Sequence, residues 1–121
     1  MPAKTASEKE KEEAVYLKAT DEDFERVVIK GSFKMPVVVD FHAEWCTPCH
    51  MLAPVLEKLA RELKGKFMLV KVNTDANPAT ASAYHVSAIP LVKMFKSGEV
   101  VAEFVGFLPE EDVREWLLSS F

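Results

Sequence analysis

Both cysteines of the chain lie in one short segment, "AEWCTPCHM", at residues 43–51. Cys46 and Cys49 have the Cys-x-x-Cys spacing, and His50 follows directly. Three chemistries fit such a segment: a redox-active dithiol, attachment of a c-type haem to Cys-x-x-Cys-His, and part of a zinc site. Each chemistry needs a different structural setting, so the elements around the segment have to distinguish them.

The 121-residue chain has the composition of an ordinary globular protein, with 49% hydrophobic and 28% charged residues. This length can bury one core without disulfide or metal staples. The net charge of −4, with acids and bases interspersed, argues against a nucleic-acid partner. The apolar runs are too short to span a bilayer. We therefore expect no nucleic-acid and no membrane partner.

Residues 1–14 are rich in Lys and Glu and indicate a charged tail or a frayed helix. They lack the apolar core of a signal peptide. A single Cys-x-x-Cys in a reducing compartment is more often catalytic or metal-binding than structural. The expected location is cytoplasmic.

Strand and helix patterns alternate along the rest of the chain. Strands are predicted at 15–19, 36–41 and 67–73, and helices at 20–31, 52–63 and 77–85. Thr20 and Asn77 stand where helix N-caps belong. Residues 89–106 read as two strands joined by a tight turn, and a last helix begins near residue 108. This order predicts an α/β sheet with parallel pairs, helices on both faces, and a final antiparallel hairpin.

The position of Cys46 favours the redox chemistry. It follows the apolar strand by a few residues and immediately precedes a helix. Unpaired backbone N–H groups and the positive end of the helix dipole stabilise a thiolate there, so its pKa should fall. Cys49 lies one turn later, within bonding reach, and receives less of this help. One thiol can therefore attack while the other resolves the mixed disulfide.

Several motifs together resemble the thioredoxin family over residues 15–121. They are Trp-Cys-x-Pro-Cys after the strand that contains Asp40, Ile-Pro about forty residues later, and the terminal helix. The resemblance implies a thioredoxin domain over residues 15–121, with a five-stranded mixed central sheet flanked by four helices. It also implies a protein-disulfide oxidoreductase with Cys46 as attacking thiol and Cys49 as resolving thiol. No cofactor other than this pair is expected, and the implied partners are disulfide-containing substrate proteins and thioredoxin reductase drawing on NADPH.

Two charged residues in apolar strands extend the expected site. Burial should raise the pKa of Asp40, which makes it a candidate proton acceptor for Cys49. Lys71 matches the family lysine found near that aspartate. A half-buried charge pair that only aids folding is the alternative for both residues.

The resemblance also implies an apolar substrate-binding patch around the sulfurs. Pro90 matches the cis-proline of the family, and the backbone of Ile89 could pair with an extended substrate. The expected patch consists of Trp45, Thr47, Pro48, Ala88, Ile89, Pro90 and Gly106. Thr47, His42 and His50 depart from the family pattern, which leaves the reduction potential and the substrate preference open. A cationic His50 would lower the pKa of Cys46, whereas an exposed histidine without a role is the alternative.

Three other interpretations compete with the redox one. A haem would use His50 as axial ligand, but Met68 and Met94 fall in strands and no export signal is present. Zinc could use both cysteines with His50 and His42, but a second pair of ligands at recognisable spacing is missing. A thioredoxin-like binding or assembly module would treat the dithiol as secondary. The presence of every catalytic part argues against it.

Overall fold

The computed structural model describes residues 15–121, and the charged tail expected at residues 1–14 lies outside the described residues. Five strands form one mixed sheet. They are β1 (Tyr16–Lys18), β2 (Val37–His42), β3 (Met68–Asn73), β4 (Leu91–Lys96) and β5 (Glu99–Val105). The spatial order is β1-β3-β2-β4-β5. β3 is parallel to both β1 and β2, whereas β4 is antiparallel to both β2 and β5. The predicted mixed sheet with a final hairpin is confirmed.

Within the described residues, four helices accompany the sheet. They are α1 (Glu25–Lys30), α2 (Thr47–Glu62), α3 (Pro78–Ala83) and α4 (Glu110–Ser120). α1 is a π-helix and continues into a short 3₁₀ turn. None of the helices within residues 15–121 has the length and apolarity that a membrane span requires. The expected thioredoxin fold, with four helices around five strands, is confirmed.

The central strand β2 is buried on both faces, as its run of β-branched residues predicts. Val37, Val39 and Phe41 join a core cluster that includes Val28 of α1. Val38 points to the other face, into a cluster lined by apolar residues of α2 and α4. Because side chains alternate along a strand, Asp40 lies on the same face as Val38, under α2. A carboxyl group is thus placed inside the core.

The predicted helix at 20–31 begins later than its sequence suggests. The N–H and the hydroxyl of Thr20 both donate to Asp23 Oδ1, at 2.6 and 3.1 Å. The hydroxyl is therefore occupied as a donor, and the regular helix starts only at Glu25. The Thr20 carbonyl accepts from the Phe24 N–H at 2.8 Å, but the Thr20 hydroxyl bonds to Asp23 and not to a helix N–H, so the predicted side-chain cap is not formed.

Asn77 is the N-cap residue of α3 and Pro78 its first residue, as predicted, but the Asn77 side chain does not bond to the helix N–H groups. The Asn77 side chain is buried, accepts from the N–H of Asp21 at 2.9 Å and donates to the Asn73 carbonyl at 3.0 Å. The Asp21 carboxylate accepts instead from the N–H groups of the first turn of α3, those of Ala79 at 3.2 Å and Thr80 at 2.8 Å. A residue distant in sequence therefore caps this helix.

Candidate active site at the start of α2

Cys46 and Cys49 are joined by a disulfide at the N-terminal end of α2, with their Cα atoms 5.2 Å apart. Cys46 is the N-cap residue, has extended backbone and directly precedes Thr47, the first residue of the helix. The N–H of Cys49 points at Cys46 Sγ, at 3.2 Å. Once the disulfide is reduced, this N–H and the helix dipole favour a thiolate on Cys46. The predicted place of the dithiol, between a buried strand and a helix, is confirmed.

The loop before β4 lies directly beside the disulfide. Cys46 Sγ is 3.8 Å from the carbonyl oxygen of Ile89. The Ile89–Pro90 peptide bond is cis, as the resemblance implied. Ala43, Cys49 and Ile89 pack around Cys46. Two segments more than forty residues apart in the chain therefore meet at the sulfurs.

The segment after β5 completes this surface. The N–H of Gly106 donates to the carbonyl of Pro90 at 2.8 Å. Gly106 has a φ of +87°, a left-handed conformation that glycine adopts without the steric penalty of a Cβ atom. This hydrogen bond places the turn after β5 next to the cis-proline loop.

Side chains of the expected substrate patch are largely open to solvent. The Trp45 residue is 70% exposed, so its ring does not pack in the core. Its Nε1–H donates to Asp75 Oδ2 at 2.9 Å, which fixes the ring over the loop after β3. Thr47, Pro48 and Ala88 are exposed too, whereas Ile89 and Gly106 are half-buried and Pro90 is buried. Sequence reasoning missed Asp75, since an acid in a polar loop carries no local sign of this contact.

Asp40 is buried beneath α2, with 1% of its surface exposed. Its Oδ1 atom has no hydrogen-bond partner among the described residues. Burial raises the pKa of the Asp40 carboxyl to about 7, against an opposing effect of the Lys71 cation and with a further increase from Glu57. The increase in the pKa of Asp40 that its apolar strand predicts, through desolvation, is thus present. A carboxyl with this pKa exchanges a proton readily near neutral pH.

Lys71 is the register neighbour of Asp40 across β2 and β3. Its Nζ atom, however, forms an ion pair with Glu57 Oε2 of α2 at 2.9 Å. The same atom lies 4.2 Å from the ring centroid of Tyr16 in β1. The expected proximity of Lys71 to Asp40 therefore holds in register, but its ion-pair partner is Glu57. Sequence reasoning missed this partner because Glu57 lies among the polar positions of an amphipathic helix.

The histidines near the cysteines face different surroundings. The exposed His50 has its Nε2 atom 2.6 Å from the Glu44 carbonyl oxygen. His42 is half-buried, and burial is the main cause that lowers its pKa, with the Lys71 cation acting in the same direction. Among residues 15–121, no three His, Cys, Asp or Glu side chains converge as metal ligands would. Because the disulfide engages both sulfurs, the arrangement favours redox chemistry over thioether or thiolate ligation.

The thioredoxin family model matches residues 15–119. The chain belongs to the thioredoxin family. A thioredoxin from Staphylococcus aureus (strain Mu50 / ATCC 700699) is 46% identical over 101 residues, which cover 84% of this chain and 93% of the relative. A thioredoxin from Rickettsia bellii (strain RML369-C) is 42% identical over 98 residues, 81% of this chain and 91% of that protein.

This member of the thioredoxin family is a protein-disulfide oxidoreductase. Its redox-active group is the Cys46–Cys49 pair, and thiol–disulfide exchange at such a pair needs no further cofactor. The disulfide lies beside the Ile89–Pro90 loop, and the exposed Trp45 directly precedes Cys46, so the site has the parts that exchange with a protein substrate requires. A binding module with a secondary dithiol gains no support from this geometry.

Proposed function

We propose that this protein reduces disulfides of cytoplasmic proteins, with Cys46 as the attacking thiol and Cys49 as the resolving thiol. The observation that carries the proposal is the N-cap position of Cys46, whose sulfur faces the Cys49 N–H at 3.2 Å. No comparable group contacts the Cys49 sulfur among the described residues. Of the two sulfurs, that of Cys46 is therefore the better stabilised as a thiolate.

In the first half-reaction the Cys46 thiolate attacks one sulfur of a substrate disulfide. A bond forms between Cys46 Sγ and that sulfur, the substrate S–S bond breaks, and the second substrate sulfur leaves as a thiolate. The product is a mixed disulfide at the surface of the protein.

In the second half-reaction Cys49 loses its proton and attacks Cys46 Sγ. The intramolecular disulfide forms, and the remaining substrate thiolate leaves, so that two electrons have passed from the dithiol to the substrate. We assign the acceptor of the Cys49 proton to Asp40, directly or through water. Its burial and raised pKa support this role. Lys71 acts on this step through its charge.

The substrate binds across the patch around the sulfurs. An extended substrate segment would pair with the backbone of Ile89 by strand addition, because its carbonyl lies beside Cys46. The exposed apolar surface of Trp45, Pro48 and Ala88 would contact its side chains. Pro90 and Gly106 hold the loop that presents Ile89, and Thr47 borders the attacking sulfur.

The oxidised protein has to be reduced again before a second turnover. We assign this step to thioredoxin reductase, which draws on NADPH, so that the protein transfers electrons from that enzyme to its substrates. A lone Cys-x-x-Cys fits a reducing compartment such as the cytoplasm. A coupled assay that follows NADPH consumption with thioredoxin reductase and a disulfide protein tests this link, and no consumption above the reductase alone would contradict it.

The direction of electron flow is tested by the reduction potential of the Cys46–Cys49 pair. The protein is equilibrated in defined thiol buffers, and the redox state is read from the fluorescence of Trp45 in a Trp116→Phe background. A value near the about −270 mV known for thioredoxin itself supports a reductant. A value between roughly −180 and −120 mV, typical of isomerases and strong oxidants, would reverse the proposed direction.

The roles of the two cysteines are tested by trapping. Cys49→Ser removes the resolving thiol, so a mixed disulfide with a substrate protein should accumulate on Cys46. Cys46→Ser is the matched control and should trap far less. Equal trapping by the two variants would contradict the assignment of Cys46 as the attacking thiol.

A further inference from the structure

The Lys71 ammonium group is held by two elements that flank β3. Glu57 of α2 pairs with it at 2.9 Å, and the Tyr16 ring of β1 lies 4.2 Å from it at the ring centroid. The side chains of Lys71 and Glu57 are only 12% and 24% exposed. Because little water surrounds this pair, its attraction is screened less than that of a surface pair.

Asp40 is left without this cation as a direct partner. It faces Lys71 in the register of β2 and β3, yet no ion pair joins the two residues within 4.0 Å, and Asp40 Oδ1 is unpartnered among the described residues. A buried carboxylate would ordinarily take a neighbouring lysine as its partner. Glu57 therefore competes with Asp40 for the same ammonium group.

We propose that Glu57 is a positioning residue of the reaction: by holding Lys71 on the α2 side, it keeps the Asp40 carboxyl unpaired and able to accept the Cys49 proton. The consequence for the reaction rests on the proposed function, in which Asp40 accepts the Cys49 proton. The effect of Glu57 on the protonation of Asp40 is independent of that role, because this protonation can be observed without turnover.

The charged and titratable groups around Asp40 determine how its pKa should change when the Glu57 charge is removed. Lys71 of β3 favours the carboxylate, and Glu57 of α2 opposes it. Neighbouring elements also carry His42 on the same strand, Tyr16 and Lys18 on β1 beside Lys71, and the two cysteines at the start of α2. Lys93 of β4 lies on the opposite face of the sheet and pairs with Glu103. Loss of the Glu57 charge should lower the pKa of Asp40 by two routes, since it removes a nearby negative charge and frees Lys71 to approach.

The central variant is Glu57→Gln, which keeps the size of the side chain and removes its charge. The titration of Asp40 is followed by ¹³C NMR of its carboxyl carbon in the oxidised protein. We expect its midpoint to fall by about one pH unit or more, the scale on which a newly approached cation acts on a carboxyl. The corresponding limb of the pH profile for disulfide reduction should move to lower pH with it.

Glu62→Gln is the matched control. Glu62 lies on the same helix and also forms an ion pair at 2.9 Å, but its partner is Arg114 of α4. This variant should leave the Asp40 titration and the pH profile in place. An unchanged Asp40 midpoint in Glu57→Gln, or an equal decrease in both variants, would overturn the proposal.

A double-mutant cycle with Lys71→Met separates the two routes. Without Lys71, loss of the Glu57 charge can act on Asp40 only through its direct repulsion. The decrease caused by Glu57→Gln should therefore be smaller in the Lys71→Met background than in the wild-type protein. Equal decreases of the Asp40 midpoint in the two backgrounds would show that Glu57 does not hold Lys71 away from Asp40. The double variant also removes the unpaired cation.

The two proposals fail in different ways. If the Asp40 midpoint moves as expected while the pH profile of disulfide reduction stays in place, the role of Asp40 as proton acceptor is wrong and the positioning of Lys71 by Glu57 stands. If the wild-type protein reduces no protein disulfide at all, the proposed function is wrong. The NMR titration still decides the positioning of Lys71.

Discussion

Asp21 and Thr80 are joined at the start of α3, although 59 residues separate them in the chain. Asp21 Oδ1 accepts from the Thr80 N–H at 2.8 Å and from the Thr80 hydroxyl at 2.7 Å. Together with the bond from the N–H of Ala79, this carboxylate satisfies N–H groups that the short helix cannot satisfy itself. The contact ties the loop after β1 to α3, and α3 precedes the loop that presents Ile89 to the disulfide.

Removal of the Thr80 hydroxyl should weaken this junction. Thr80 is 6% exposed, and Thr80→Val keeps its shape while leaving Asp21 with one hydrogen bond fewer. We expect the free energy of unfolding to fall by about 1 kcal/mol, the usual scale of one such bond. Urea denaturation measures it. Thr47→Val, at an exposed threonine, should change stability by less than about 0.5 kcal/mol, and equal losses in the two variants would contradict the prediction.

The charge of Asp21 should make this junction sensitive to acid. The Thr80 hydroxyl is the main cause that lowers the pKa of Asp21, and the N–H bonds from Thr80 and Ala79 act in the same direction against the effect of burial. A carboxyl with a lowered folded-state pKa stabilises the protein above its unfolded-state pKa of about 3.9 and loses this effect as the pH falls. The Tm of Asp21→Asn should therefore be lower than that of the wild-type protein at pH 7, and the difference in Tm should become smaller below about pH 4. An equal difference in Tm at pH 7 and pH 3 would contradict the stabilising role of the Asp21 carboxylate.

Local sequence patterns predicted most of the fold, because they report which residues must be buried. The run "VVVDF" can bury its apolar side chains only as a strand covered on both faces of the sheet, and β2 is such a strand. The apolar spacing of three and four predicted α2, and it placed Cys46 before the first helical turn. This placement favours the dithiol chemistry, and the resemblance to the thioredoxin family implied the roles of the two cysteines, so the core of the site was predictable.

Contacts between distant residues were not predictable in the same way. Asn77 stands at the N-cap of α3 as predicted, but Asp21 supplies the side-chain bonds to the first turn, and the Thr20 hydroxyl bonds to Asp23 and not to a helix N–H. Asp21 and Asn77 follow β1 and β3, which are neighbours in the sheet but distant in sequence. The competition of Glu57 with Asp40 for a lysine has the same origin, since α2 crosses β3 only in the folded protein. Charges that act across the fold leave no periodic signal in the sequence.

The burial of Asp40 should cost stability above acidic pH. Its folded-state pKa of about 7 exceeds the unfolded value, so the folded protein holds a proton that the unfolded chain has released. Wild-type stability should therefore fall relative to Asp40→Asn as the pH rises from about 4 to about 7 and stay lower beyond that. The pKa of Asp40 is about three units higher in the folded protein than in the unfolded chain. This difference corresponds to a decrease of roughly 4 kcal/mol in the free energy of unfolding at pH 8.

Denaturant unfolding of wild type and Asp40→Asn at pH 4 and pH 8 measures this difference. The variant should be more stable at pH 8 and close to wild type at pH 4. Asp75→Asn, at an exposed carboxylate, is the control and should change stability by less than about 0.5 kcal/mol at either pH. An Asp40→Asn variant no more stable than wild type at pH 8 would mean that the carboxylate is compensated in the folded protein.

The bond between Trp45 and Asp75 should matter for substrate binding and not for the redox chemistry. Because the exposed ring is fixed by its Nε1–H bond at 2.9 Å, Asp75→Ala frees the ring and adds an ordering cost when a substrate binds. We expect KM for a protein disulfide to rise about fivefold, which corresponds to a hydrogen bond of about 1 kcal/mol. The reduction potential and the rate with a small soluble disulfide should not change. Asp75→Asn keeps an acceptor oxygen and should stay near the wild-type KM, whereas an unchanged KM in Asp75→Ala would show that the orientation of Trp45 is set by other contacts.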